Sequence, residues 1–276
     1  MTEQTILIAL SIFPVIVLAF FIYRKDKFQK EPLKMLVKAF LLGCLSALPA
    51  AYLETLLTNA YSLFGGEYLP GFFGGIYNGY VVAGCSEELC KLLLLFIAVW
   101  RSPHFDEYFD GIVYATFLSL GFAGLENVLY VFSQGDFSSA VVTGSMRALL
   151  SVPGHFLFGV AMGYYFALAK FEPTNRSRNI MLAFLVPMLL HGTFDALLMI
   201  PDAMGEEGQW LNVVMFPVFI WFDIKLWKLG MRRLRSLQQL SEEQNLYEDI
   251  GDDDSADNHG STPPNGGAFS GFNWEV

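Results

Sequence analysis

Two adjacent carboxylates lie inside an apolar stretch that is long enough to cross a bilayer. Glu87 and Glu88 occupy the middle of residues 79–100, and Lys91 follows one helical turn later. A carboxylate and an ammonium group spaced three or four residues apart meet on one face of a helix. Because charged side chains are costly at that depth in a membrane, the pattern indicates a functional site that faces the interior of a helix bundle.

Three later apolar stretches also contain ionisable residues. These residues are Glu126 within 112–132, His155 within 152–169, and His191 with Asp195 within 180–200. An acid four residues after a histidine can orient the imidazole through its second nitrogen or share its ligand. A single buried histidine or ion pair is usually structural, but intrusions on four successive spans are hard to explain in that way. We therefore expect these groups to converge in one polar pocket.

The predicted pocket has a surplus of negative charge, since four acids face a single lysine. Either protons or a bound cation must balance that charge in a low-dielectric interior. Imidazole and carboxylate ligands without a thiolate suit zinc or a related divalent ion, and three protein ligands would leave one position for water. The cysteines, Cys44, Cys85 and Cys90, form no CxxC pair and are predicted to be packing residues.

The elements that must position these residues are transmembrane helices. The chain is 54% hydrophobic and 16% charged, whereas soluble domains are about 25% charged. A helix needs roughly 20 apolar residues to cross the hydrocarbon layer. Seven segments qualify, namely 5–23, 34–60, 76–100, 109–133, 140–169, 179–200 and 210–229. The sequence thus predicts an all-α, polytopic bundle of about seven spans in the cell membrane, surrounded by the lipid bilayer.

The distribution of basic residues predicts the orientation of the bundle. The loops without any Lys or Arg are 61–75, 133–139 and 201–209. Lys and Arg are retained on the cytoplasmic side, so we expect the N-terminus outside and the C-terminus in the cytoplasm. Residues after Arg235 are polar and acidic, and they account for nearly all of the net charge of -10. We predict a transmembrane domain over 1–235, a disordered acidic tail over 236–276 and no nucleic-acid partner.

The depth of the polar residues predicts where the pocket opens. Glu87 and Glu88 fall about halfway down the third span, and Glu126 lies within two turns of the outer end of the fourth, at about 1.5 Å per residue. The pocket should therefore open toward the extracytoplasmic half of the bilayer. Arg147, near the outer end of the fifth span, is predicted to be an interfacial anchor, with binding of a substrate backbone or a lipid phosphate as the alternative.

At these residues the chain resembles the PrsW family of intramembrane proteases, distant relatives of the CAAX prenyl endopeptidases. The matching stretches are Glu87-Glu88-Leu89-Cys90-Lys91 for EExxK, Phe122 to Glu126 for FxxxE, and His191 to Asp195 for HxxxD. The similarity covers about residues 75–200. Three short motifs in the right order on successive membrane helices form a fairly specific signal.

The resemblance implies proteolysis of a membrane-anchored protein near the outer face, in the best-known members the first cut in an anti-sigma factor of a stress response. Family members are classed as metalloproteases, although a metal-free glutamate and histidine mechanism has been argued for the related prenyl endopeptidases. The predicted ligands of a divalent metal, expected to be zinc, are Glu126, His155 and His191. The predicted catalytic residues are Glu87, Glu88, Lys91 and Asp195. One of the paired glutamates is the general base for the attacking water, the lysine fixes the pair, and the aspartate orients His191 or completes the coordination.

Two other classes of protein fit the same residues. A proton- or cation-coupled transporter would use the carboxylates and histidines as a relay. It would need an aqueous route to both faces, whereas the polar residues concentrate in the middle and outer half. A noncatalytic receptor or scaffold would use the cluster to fix helix register, and bound zinc without turnover of a membrane substrate would favour that alternative.

Overall fold

The structure is a computed structural model that describes residues 2–63 and 71–257. Within these ranges the chain is helical and contains no strand, which confirms the all-α prediction. The α-helices are α1 (Glu3–Lys25), α2 (Leu33–Leu63), α3 (Gly71–Ile76), α4 (Ser86–Val99), α5 (Tyr108–Phe132), α6 (Phe137–Met146), α7 (Val152–Phe171), α8 (Arg176–Ala203) and α9 (Asn212–Asp257). Short 3₁₀ turns at Pro173–Asn175 and Gly205–Leu211 precede α8 and α9.

Two π-helical stretches join neighbouring helices without a break. Tyr77–Cys85 links α3 to α4, and Arg147–Ser151 links α6 to α7. Residues 71–99 and 137–171 therefore each form one continuous helical rod. Such π-helical turns are rare and often lie at functional sites. In this chain one of them directly precedes the paired glutamates, and the other directly precedes the helix that contains His155.

Within the described residues, five helical stretches are long and apolar enough to cross a membrane. They are Glu3–Lys25, Leu33–Ala60, Tyr108–Phe132, Phe137–Phe171 and Pro173–Ala203. These stretches correspond to five of the seven predicted spans. The other two, 76–100 and 210–229, fall in the rod over 71–99 and in the first half of α9. The total of seven spans stays a prediction.

The centre of the bundle is formed by α5 and α7, which pack tightly against each other. Small residues allow this approach, since a Cβ atom on Gly163 would lie 2.6 Å from the Cα atom of Ile112. The π-helical stretch before α4 approaches α8 in the same way, because a Cβ atom on Gly79 would lie 2.7 Å from the backbone nitrogen of Ala196. Small residues at helix contacts are typical of membrane bundles. The close packing brings the helix of the paired glutamates against the helix of His191.

One end of the bundle gathers the basic loops and the second half of α9. The Gln238 amide donates to the carbonyl oxygen of Lys25 (2.6 Å), and Gln244 donates to that of Asp106 (2.7 Å). The Lys170 ammonium donates to the carbonyl oxygen of Trp100 (2.9 Å) at the same end. We refer to it as the basic end. Its assignment to the cytoplasmic side stays a prediction.

The last helix extends beyond the predicted domain boundary at residue 235. It continues to Asp257, and both Leu237 and Ser241 are buried against the rest of the bundle. The described part of the segment 236–276 is thus helical, and residues 258–276 lie outside the described residues. The division of the chain into a domain and an acidic tail stays a prediction.

Candidate active site

The paired glutamates on α4 share the ammonium group of Lys91. The Lys91 Nζ atom lies 2.7 Å from Glu88 Oε1 and 3.1 Å from Glu87 Oε2. Glu88 and Lys91 are fully buried, and the ring of Phe122 covers the ammonium at 4.0 Å. A charge removed from water this completely must be paired and hydrogen-bonded. Lys91 therefore holds the two carboxylates in place.

His191 on α8 lies between two acids from different helices. Its Nδ1 atom is 2.9 Å from Glu88 Oε1, and its Nε2 atom is 3.3 Å from Asp195 Oδ2. The ring of Phe158 stacks on the imidazole at 4.7 Å between centroids. Both nitrogens face carboxylate oxygens, which only accept hydrogen bonds. When both acids are ionised and no metal is bound, an imidazole that donates from both nitrogens satisfies both carboxylates, and His191 then contributes a positive charge to the cluster.

His155 on α7 connects Lys91 to Glu126. The Lys91 ammonium donates to His155 Nδ1 (3.1 Å), and His155 Nε2 lies 2.9 Å from Glu126 Oε2. Because an ammonium can only donate, the proton of a neutral His155 ring must be on Nε2, from which it is donated to Glu126. Ser119 on α5 donates to the carbonyl oxygen of His155 (2.7 Å). Lys91 and Glu126 thus set the orientation of the ring, and Ser119 binds the backbone of the same residue.

Arg147 belongs to the same cluster, although the sequence analysis treats it as an interfacial anchor. Its Nη2 atom lies 2.8 Å from Glu126 Oε2, and its Nε atom donates to Asn127 Oδ1 (3.0 Å). Asn127 is fully buried and in turn donates to the carbonyl oxygen of Ser11 on α1 (2.9 Å). The surplus of acids in the predicted pocket could have indicated this role, because the pocket needed another cation and Arg147 lies within the predicted fifth span.

All seven predicted site residues meet in one connected network. Its contacts run from Asp195 through His191, Glu88, Lys91 and His155 to Glu126. The network is fully buried at Glu88 and partly exposed at its two ends, where the side chains of Glu126 and Asp195 are 18% and 17% exposed. Glu126 lies in the last two turns of α5, and the basic end is at the start of that helix. The partly exposed Glu126 thus lies toward the end of the bundle opposite the basic loops.

Four of these residues form a possible metal-binding group. Among the described residues, one ligand atom each from Glu87, Glu88, His155 and His191 lies within 4.8 Å of the other three. The second oxygen of Glu88, Oε2, is buried and accepts no hydrogen bond, so a ligand position remains available. The donor set fits zinc or a related divalent ion. Glu126, which the sequence analysis proposed as a ligand, lies outside this group and contacts the outer nitrogen of His155.

Comparisons with known proteins identify the family to which the chain belongs. A model of the family described as "PrsW family intramembrane metalloprotease" matches residues 31–222. The chain belongs to the PrsW family. Protease PrsW of Clostridioides difficile (strain 630) is 38% identical over 230 residues, which cover 83% of this chain and 90% of that protein. Protease PrsW of Bacillus subtilis (strain 168) is 33% identical over 237 residues, covering 85% and 97%. No solved structure gives a significant match.

Membership of the PrsW family confirms the predicted resemblance, together with the predicted membrane location and protease class. The chain is a multi-pass cell-membrane protein of an intramembrane protease family, and such an enzyme acts on protein substrates in the membrane. The transporter and scaffold alternatives have no comparable support.

Replacing Arg147 with glutamine should lower the turnover number about 10- to 100-fold. Glu126 would lose the cation that fixes it against His155. Residues that orient a catalytic or metal-binding histidine typically contribute about that factor. Initial rates at saturating substrate, measured in proteoliposomes, check this expectation. Arg178→Gln on α8 is the control, since Arg178 is exposed near the basic end. An Arg147→Gln protein with an unchanged turnover number would contradict the positioning role.

Proposed function

We propose that this chain hydrolyses a peptide bond of a membrane-anchored protein close to the extracytoplasmic face. The observation that supports the proposal most strongly is the convergence of paired glutamates and two histidines from three helices on one buried pocket. Membership of a protease family supports the reaction class. The opening of the pocket near Glu126, away from the basic loops, supports the side of cleavage, since basic loops remain in the cytoplasm.

The roles of the residues follow from their contacts. One of the paired acids, Glu87 or Glu88, takes a proton from the attacking water. Lys91 holds this pair through the two short contacts to its ammonium group. Asp195 orients His191 from the side opposite Glu88, while Glu126 orients His155. Supporting contacts of this kind fix the ring orientation of histidines in metal and catalytic sites.

A divalent metal, which we propose to be zinc, would be held by donors among Glu87, Glu88, His155 and His191. When bound, such an ion polarises a peptide carbonyl and acidifies a water molecule. Lys91 already contacts three of the four donor groups. The ammonium group and a metal ion would therefore compete for the same ligand atoms, which makes metal affinity sensitive to the position of Lys91.

The proposed substrate is a single-span regulator of the anti-sigma-factor kind. This enzyme would make the first cut in that regulator, at site 1, as a step of a stress response. A membrane-anchored substrate fits a pocket whose walls are transmembrane helices and whose charged groups are buried among aromatic rings. Peptide-bond hydrolysis in such a pocket needs water, and the partly exposed Glu126 and Asp195 mark where water enters.

The test is a cleavage assay with purified full-length protein in proteoliposomes, using a single-span reporter with an extracytoplasmic domain. We expect one cut near the outer face by mass spectrometry, with roughly one zinc per chain. His191→Ala should lose both zinc and cleavage, because the ring is one of the four proposed metal donors and contacts Glu88. His104→Ala is the matched control, since His104 is exposed and lies outside the network.

Two results would overturn parts of the proposal separately. Cleavage that persists after zinc has been removed by a chelator would overturn the proposed role of the metal but leave the proposed protease activity intact. Full cleavage by the His191→Ala protein would eliminate the proposed site itself.

A further inference from the structure

A second group of acids lies at the basic end, far from the candidate active site. Glu31 precedes α2, Asp106 precedes α5, and Asp110 lies in the first turn of α5. One carboxylate oxygen from each residue lies within 4.8 Å of the other two. Asp110 and Glu126 are on the same helix 16 residues apart, which is about 24 Å at the rise of an α-helix. We call Glu31, Asp106 and Asp110 the basal acid group.

The basal acid group lacks a cation of its own. No Lys or Arg side chain within residues 2–63 and 71–257 forms an ion pair with any of its three members. Glu31 and Asp110 are nevertheless buried, at 5% and 0% exposure, and one oxygen of each lies within 4.8 Å of the other. Two buried carboxylates at this distance require either a shared proton or a bound cation.

The unused oxygen of Asp110 points to a ligand. Asp110 Oδ2 accepts hydrogen bonds from the backbone of Asp106 (3.1 Å) and Glu107 (2.7 Å), so it is committed to capping α5. The other oxygen, Oδ1, is buried and accepts no hydrogen bond from any described residue. An unsatisfied buried oxygen of this kind costs free energy unless something binds it. The helix cap therefore does not account for the whole carboxylate.

From these contacts we infer that the basal acid group is a binding site for a hard divalent cation such as Ca²⁺, Mg²⁺ or Mn²⁺. The donors are all oxygen, which is the ligand type that these ions prefer. Tyr114 donates to Glu31 and fixes its carboxylate. The exposed Asp106 leaves one side open, through which a hydrated ion enters and keeps part of its water shell.

A cation at this place would join two parts of the chain. It would connect the loop between α1 and α2 to the start of α5, on the surface where α9 rests. Two residues of α9 already form hydrogen bonds to the start of α5. Asn245 donates to Glu107 Oε1 (3.0 Å), and Ser241 accepts from the backbone of Phe109 (2.9 Å). Binding of the cation would thus stabilise the contact between α9 and the bundle.

The test uses purified full-length protein, freed of metal with a chelator, and thermal unfolding with and without Ca²⁺ at about 1 mM, where weak oxygen sites bind. We expect the melting temperature to rise by about 3 °C. Asp106→Asn removes an exposed charged ligand without disturbing the cap of α5, and it should reduce this rise to less than about 1 °C. Glu243→Gln is the matched control, because Glu243 is an exposed acid on α9.

A second measurement separates this site from the candidate active site. In the His191→Ala protein, titration with Mn²⁺ followed by electron paramagnetic resonance should still give a bound ion, with a dissociation constant about tenfold larger when Asp106→Asn is added. Equal Ca²⁺ shifts in the unchanged and Asp106→Asn proteins would overturn the inference. So would the absence of any shift, which would mean that Glu31 and Asp110 share a proton.

Discussion

Replacing Glu88 with glutamine should lower the rate of peptide-bond cleavage by about 10³-fold, within the range that proton transfer by a positioned side chain contributes. Glu88 is fully buried and binds both Lys91 and His191 through one oxygen, while its other oxygen is free. Glutamine keeps the size of the side chain but loses the charge, the basicity and one acceptor. The loss is therefore expected whether Glu88 is the base or a metal ligand. Initial rates in proteoliposomes measure it.

Two further variants make this result specific. Asp223→Asn removes a half-buried acid on α9 that forms no ion pair with any described residue, so the cleavage rate should hardly change. Glu87→Gln tests the neighbouring acid, and the variant that loses cleavage while keeping its bound zinc identifies the base. A folded Glu88→Gln protein that cleaves as fast as the unchanged chain would remove Glu88 from the mechanism.

Replacing Lys91 with methionine should lower the free energy of unfolding by about 3–5 kcal/mol, the cost of leaving buried partner charges unpaired. The ammonium group contacts two carboxylates and His155, and it has no exposed surface. Methionine has a similar length but supplies neither charge nor donors. Denaturant unfolding in detergent micelles, with metal removed, measures the loss.

The control for this variant is Lys225→Met, since Lys225 on α9 is exposed and the change should stay within about 0.5 kcal/mol. Adding Glu88→Gln to Lys91→Met should recover part of the lost stability, because it removes one of the unpaired charges. Unfolding curves of Lys91→Met that coincide with those of the unchanged chain would show that Lys91 does not hold the acids.

The spacing of residues on single helices made much of the candidate site predictable. Glu87 and Lys91 are four residues apart, as are His191 and Asp195, and both pairs lie in contact in the structure. The cost of charge in a membrane then required these groups to face one another. Which partner each group takes could not be predicted, because Glu126 and His155 are 29 residues apart and their contact depends on the packing of α5 against α7.

Arg147 was misassigned because a basic residue near the end of a span has two physical explanations. It can reach the headgroups, or it can compensate a buried acid, and only the position of Glu126 on the neighbouring helix decides between them. The helical part of the segment after residue 235 carried a clearer signal. Leu234, Leu237 and Leu240 recur every three residues on one side of a helix, and the first two are buried.

The π-helical geometry of Tyr77–Cys85 could not be predicted from the sequence pattern. The pattern does not specify whether each backbone amide bonds to the carbonyl oxygen four or five residues earlier. The wider turns of this π-helical stretch set the angular position at which α4 begins. Removing one residue from this stretch would leave both flanking segments helical, yet it would rotate everything downstream by about 100° around the axis. The acidic pair would then face away from the imidazole of His191. The exact length of a stretch without any charged residue is thus as decisive for chemistry as any charged side chain.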